Sequence, residues 1–128
     1  QVVEACGETL SVFNGRGGLE LTDILRAGCG GIIPAPECCD IQVRIYNAMA
    51  RGDDLLADEL HRRVLPLIVF VMQSIEASLT YVKRITAERL GLGTVYDRTH
   101  NLAPTAFGLD CARAHAAFLS PFTSELPQ

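Results

Sequence analysis

TLSVFNGRGGLELTDILRAGCGGIIPAPECCDIQVRIYNAMAR, residues 9–51, is the stretch whose reading decides the fold. It opens on a short apolar run, Leu10, Ser11, Val12 and Phe13, which stops at the glycine loop Asn14, Gly15, Arg16, Gly17 and Gly18. Leu21, Ile24, Leu25 and Gly28 then recur at helical spacing, and a second strand-like run, Gly31 to Ala35, follows at once. A second amphipathic helix carries Ile41, Ile45, Ala48 and Met49. Strand, loop, helix, strand and helix in this order predict two successive βα units, which need a parallel sheet because a crossover helix separates the strands.

Working outward, the flanks are helical. Val2, Val3 and Cys6 before Gly7 read as the end of a helix and a turn. Gly28 suits the left-handed position after a helix, and Pro36 a first helical turn, where a missing N–H costs least. Gly52 ends the second helix and Asp53 caps the next. In that next helix Leu56, Leu60, Val64, Leu67, Ile68 and Val71 share one face, opposite Asp58, Glu59, Arg62 and Arg63, and Pro66 is expected to kink it. A further helix is expected over about 79–90, with Val82, Ile85 and Leu90 inward, stopping at Gly91. Residues 94–104 read as a loop, 105–119 as a last helix weakened by Gly108, and the tail after Ser120 as frayed.

Composition narrows the class. At 128 residues the chain can bury one core, and its apolar and charged fractions are ordinary for a water-soluble domain. The net charge of −4 is spread among interspersed arginines and carboxylates, which argues against a nucleic-acid surface. The longest apolar run, 64–72, contains Pro66 and falls well short of the roughly 20 residues of a membrane span. No basic stretch leading into an apolar run follows Gln1, so no secretory leader is read. The five cysteines, Cys6, Cys29, Cys38, Cys39 and Cys111, are odd in number and lack zinc-ligand spacing. Buried, reduced thiols in a cytoplasmic protein are the expectation. Cys38 and Cys39 stand near a helix start, where the macrodipole can lower a thiol pKa. With no His near them in sequence, neither is read as a nucleophile.

Two strands alone leave two unpaired edges, so the chain is expected to be part of something larger. A family resemblance points the same way. The run from Gly18, Leu19, Glu20 and Leu21 through Gly28, Cys29, Gly30, Gly31, Ile32 and Ile33 resembles the seventh and eighth strands of the dihydrodipicolinate synthase / N-acetylneuraminate lyase family. Tyr46 to Asp53 resembles that family's helix joined to Gly-Asp, and Glu59 to Leu67 its L-x-x-x-L-x-P-L helix. Tyr81, Val82 and Lys83, with Leu90, Gly91 and Leu92 after them, are similar to its Val-Lys helix ending in Leu-Gly-Leu. These segments, in family order, cover most of residues 8–92. The loop after the seventh strand departs from the family's usual S-G-D-[DE]. With the tail Tyr96, Asp97 and Arg98 and the segment Ala103 to Leu109, it looks more like the L-2-keto-3-deoxyarabonate dehydratase branch.

The resemblance implies an α/β fold: the C-terminal portion of a (β/α)8 TIM barrel, its last two βα units over residues 1–52, with a C-terminal helical extension over 53–128. A whole barrel of this type has about 250 residues. It implies a class I lyase acting on a 2-keto-3-deoxy sugar acid, a dehydratase or else a dihydrodipicolinate synthase or pyruvate-dependent aldolase. A lysine amine condenses with the keto carbonyl, the iminium takes up the electrons of a C3 carbanion, and a tyrosine hydroxyl relays protons. That lysine and tyrosine belong to earlier strands, so no catalytic residue, metal ligand or cofactor is expected in this chain. The implied partners are the 2-keto acid, the missing N-terminal barrel half and further copies in a homotetramer, with neither nucleic acid nor membrane. A non-catalytic helical fragment associating through Leu56, Leu60, Val64 and Leu67 is the competing reading.

Candidate site residues follow from position. Asn14, Gly15 and Arg16 lie at a strand's C-terminal end, where barrel active sites form. Arg16 suits a sugar-acid carboxylate or hydroxyl, with a merely solvated side chain as the alternative. By the resemblance, Gly15 lines the pocket, Ile33 turns its backbone carbonyl toward the keto acid, and Ser78 lies near the mouth. Lys83, the only lysine, falls in a helix after the barrel and is read as structural. His61, His100 and His115 are likewise read as structural or solvated, Asp53 and Asp54 as a helix cap.

Overall fold

A computed structural model describes residues 2–98 and 103–122. Six helices dominate: α1 (Val2–Cys6), α2 (Leu21–Arg26), α3 (Cys39–Ala50), α4 (Asp54–Val71), α5 (Ile75–Leu90) and α6 (Ala106–Leu119). Two short strands, β1 (Phe13–Asn14) and β2 (Gly31–Ile32), pair in parallel with Phe13 opposite Gly31 and Asn14 opposite Ile32. The strand–helix–strand order of residues 13–32 is therefore a single βα crossover, followed by α3. The strands are shorter than the apolar runs that announce them.

The helices hold the molecule together. α3 lies along α4, α5 along α6, and α2 wedges against both α3 and α4. Their shared core contains Leu21, Ile41, Ile45, Leu60, Val64, Leu67, Ile68, Val71 and Ile85, nearly all free of solvent. The 3.6-residue spacing of these apolar positions is what turns one face of each helix inward. Leu60, Val64 and Leu67 are thus committed to the chain's own core, and Leu56 is partly buried against it. Of the four residues through which the competing reading has the chain associate, only Leu56 keeps part of its surface exposed.

Local chemistry sets the helix ends. Asp53 Oδ1 accepts from the Leu56 N–H at 3.2 Å, and Ser74 Oγ from the Ala77 N–H at 3.1 Å. The Ser74 cap starts α5 at Ile75, a full turn before the apolar pattern suggests. Gly28 takes the left-handed conformation expected of it, with φ +88°. α4 runs unbroken through Pro66, which lies on its exposed side. Leu90, expected inward, is half exposed because α5 ends there and the chain turns away at Gly91. No described helix is long and apolar enough to cross a membrane.

One buried arginine ties distant segments together. Arg89, near the end of α5, has a side chain 0% exposed and pairs with Asp40 at the start of α3, itself 10% exposed. Its two terminal nitrogens donate to the two Asp40 oxygens at 2.8 and 2.7 Å. The guanidinium also donates to the Glu37 carbonyl at 2.7 Å and the Ser120 carbonyl at 2.8 Å, and its carbon lies 4.1 Å from the Phe122 ring centre.

Glu37 itself is buried, and its Oε2 has no hydrogen-bond partner. Burial raises its carboxyl pKa, outweighing the backbone hydrogen bond and the Arg89 charge that lower it. The folded state therefore holds the Glu37 proton more tightly than the unfolded chain does. The resulting stability is fully present below the ordinary glutamate pKa, about 4.3, and is lost as pH rises through the raised value. Glu37→Gln has no proton to lose. It is expected to melt a few degrees (~2–5 °C) above the parent at neutral pH, with the gap closing in acid. Melting curves followed by circular dichroism from acid to mildly alkaline pH check this, and a gap independent of pH would refute it.

Cys38, beside Glu37, is the buried thiol among the five cysteines. Burial pushes its pKa far up, and the neighbouring Glu37 and Asp40 carboxyls push it further. The helix start does not activate this thiol, because desolvation and like charge outweigh the macrodipole.

Candidate functional site

The C-terminal ends of the two strands come together at Asn14 and Ile33. The Gly30 N–H donates to the Val12 carbonyl at 2.9 Å and the Ile33 N–H to the Asn14 carbonyl at 2.8 Å. Phe13 lies over Gly31, where a side chain would meet its ring at 3.1 Å. Gly31 is thus the residue that lets an aromatic ring sit on the strand pair. Phe13 and Ile33 are 55% and 68% exposed, so this end of the sheet presents apolar side chains to solvent.

Beyond Asn14 the backbone turns left-handed. Arg16, Gly17 and Gly18 have φ of +56°, +62° and +84°. Gly17 and Gly18 take such angles without penalty, whereas Arg16 is held in a region that costs a side-chain-bearing residue about 1 kcal/mol or more. Turn hydrogen bonds run from the Gly18 N–H to the Gly15 carbonyl at 3.5 Å and from the Leu19 N–H to the Arg16 carbonyl at 3.2 Å. The Arg16 guanidinium reaches Glu20 at 2.5 Å while remaining 64% exposed. An exposed ion pair of this kind is worth little, so Arg16 is free to share its donors with an incoming carboxylate.

The loop rests on the helices behind it. Gln42 of α3 donates from Nε2 to the Gly17 carbonyl at 2.6 Å, and His61 of α4 places Nε2 3.2 Å from the Gly18 carbonyl. The other His61 nitrogen lies 3.4 Å from the hydroxyl of buried Thr22. His61 therefore has a specific structural task, and Gln42 was not among the residues singled out from sequence. Neither contact has a local signature, since the partners are 25 and 43 residues apart.

Asn14, Gly15, Arg16 and Ile33 thus share one end of the strand pair. Ser78 does not join them through any hydrogen bond or ion pair among the described residues; it is half buried in the first turn of α5, its N–H donating to the Ser74 carbonyl at 3.0 Å. The loop itself abuts Met72 at the end of α4, whose sulfur would lie 3.3 Å from a side chain at Gly17.

The remaining candidates lie elsewhere. Lys83 pairs with Asp97 and donates to the Tyr96 carbonyl at 3.3 Å. The hydrogen bonds from Arg84 and then Lys83 hold the Asp97 carboxyl down to a pKa of about 2. His115 stacks on Phe70, 5.2 Å between ring centres, and burial lowers its pKa. His100 lies outside the described residues. Among the described residues no group of three His, Cys, Asp or Glu is placed to hold a metal ion. An apolar cavity of about 420 Å³ opens between β2 and α3, walled by Phe13, Ile32, Pro34, Val43 and Tyr46.

Compared with models of known families, with curated proteins and with solved structures, the chain matches none.

Proposed function

We propose that this chain is the C-terminal portion of a Schiff-base lyase barrel acting on a 2-keto-3-deoxy sugar acid, a dehydratase by preference over an aldolase. It supplies substrate-binding groups, and the reactive lysine comes from another part of the barrel. The observation that carries the reading is the juxtaposition of Asn14, a strained Arg16 loop and exposed Ile33 at the C-terminal end of a parallel strand pair. In barrels of this kind substrates are bound at that end. The apolar cavity beside β2 and the exposed Phe13 fit a surface that further βα units cover. Lys83 is a poor candidate for the imine, since it lies within α5, not at a strand end, and its ammonium is held by the Asp97 carboxylate.

In this reading the lysine amine and the keto carbonyl form an iminium with loss of water. A base takes the C3 proton, the C3–C4 double bond forms, and the C4 hydroxyl leaves with a proton as water. Arg16 holds the carboxylate, and Ile33 lends its backbone carbonyl. The test is borohydride trapping with pyruvate on this chain alone and on the chain joined to barrel strands from a lyase of the proposed family. An adduct is expected only in the joined protein, on a strand lysine, and Arg16→Ala is expected to raise KM about tenfold, as for a lost charge-assisted contact. An adduct at Lys83 in the chain alone overturns the proposal.

A further inference from the structure

We propose that Gln42 and His61 are positioning residues that hold the Arg16 loop in its ligand-receiving shape, an inference that rests on the loop being the substrate-binding element. The loop has three consecutive left-handed residues, one of them an arginine. A short segment keeps such a conformation only where its surroundings over-determine it. Here two carbonyls in succession are gripped from two different helices, Gly17 by Gln42 and Gly18 by His61. Those helices, α3 and α4, lie against each other over the core, so the two grips are fixed relative to one another.

The chemistry of each grip is specific. His61 reaches the Gly18 carbonyl only by donating, which puts a proton on Nε2 and leaves Nδ1 to face the Thr22 hydroxyl. Gln42 donates its amide N–H while its Oε1 stays buried with no partner. An apolar residue of the same shape avoids that orphaned oxygen but leaves the Gly17 carbonyl without its donor, so what the amide contributes is the grip on that carbonyl. Gly18 completes the arrangement: a side chain at that position would sit 2.6 Å from the Gln42 nitrogen. With both peptide planes pinned, the direction in which Arg16 leaves the loop is pinned too.

The experiment uses the isotopically labelled chain and four substitutions, with L-arabonate as probe because it carries the carboxylate and hydroxyls of a sugar acid. Gln42→Met keeps the volume and removes the donor; His61→Leu removes the other donor; His61→Gln restores one at similar reach. In Gln42→Met and His61→Leu, amide exchange at residues 17–19 is expected to quicken about tenfold, with α3 and α4 amides unchanged, because only the local opening is altered. Loop perturbation by L-arabonate is expected to need about tenfold more probe in both, and His61→Gln to behave like the parent. Unchanged loop exchange overturns the inference, as does quickened exchange with unaltered affinity. Arg16→Ala separates the two levels. If L-arabonate leaves the parent loop unperturbed, or binds the Arg16→Ala chain as well as the parent, the loop is not the binding element, and both readings fail together.

Discussion

Arg89→Met is expected to destabilise the fold by about 3–5 kcal/mol, the usual result of removing one partner from a buried ion pair. The substitution leaves the Asp40 carboxylate, 10% exposed, facing an apolar side chain. It also strips the Glu37 and Ser120 carbonyls of their donor. The methionine replaces much of the aliphatic packing, so the loss reports the polar network and not a cavity. Urea unfolding followed by circular dichroism checks the value. The pair is not predicted to be worth that much in itself. Arg89→Met combined with Asp40→Leu is expected to regain most of the loss, because no buried charge is then left without a partner. A single variant within about 1 kcal/mol of the parent would show the network to be solvated in solution, as exposed pairs are.

The second large effect concerns Gly108. A side chain there would put its first carbon 2.0 Å from the Tyr81 hydroxyl oxygen and 2.5 Å from the ring carbon bearing it. The ring cannot simply swing aside, since it stacks on Phe70 with centres 5.0 Å apart. Gly108→Ala improves helix propensity by about 1 kcal/mol, yet is expected to cost about 1–3 kcal/mol net, because overpacking forces α6 away from α5. The diagnostic is a double-mutant cycle with Tyr81→Leu, which removes the obstructing hydroxyl and ring. Gly108→Ala made on that background is expected to be near neutral or stabilising, a coupling of at least 1 kcal/mol. Additive effects would mean that the two positions do not touch.

Gly108 also shows where local reading of the sequence stops. Its place in the last helix was legible, but as a weakness. That this position has no room for a side chain is a fact about Tyr81, on another helix. The apolar faces of α3 and α4 were legible because burial imposes a helical period on neighbouring residues, and Leu60, Val64 and Leu67 obey it. The parallel pairing of β1 and β2 followed from the crossover helix between them. The start of α5 was missed because one serine hydroxyl, not periodicity, sets it.

At the strand ends Asn14, Gly15 and Arg16 were named through their position after a strand, and Ile33 through the family resemblance. The sequence was silent on Gln42, and His61 was read only as structural or solvated, because their partners are backbone carbonyls that any residue would carry. Arg89 was equally silent, since nothing in its neighbourhood says whether an arginine near a helix end is solvated or buried.

The strand pair has a kinetic meaning. Two rungs are too few to stand alone, and β2 is braced by α2 packed against it. The conformational entropy of aligning two strands has already been met within this chain. In the proposed barrel, a further parallel strand arriving at either edge meets a pair already aligned, and its addition resembles docking more than folding. Its speed is governed by encounter and orientation, not by a search through registers.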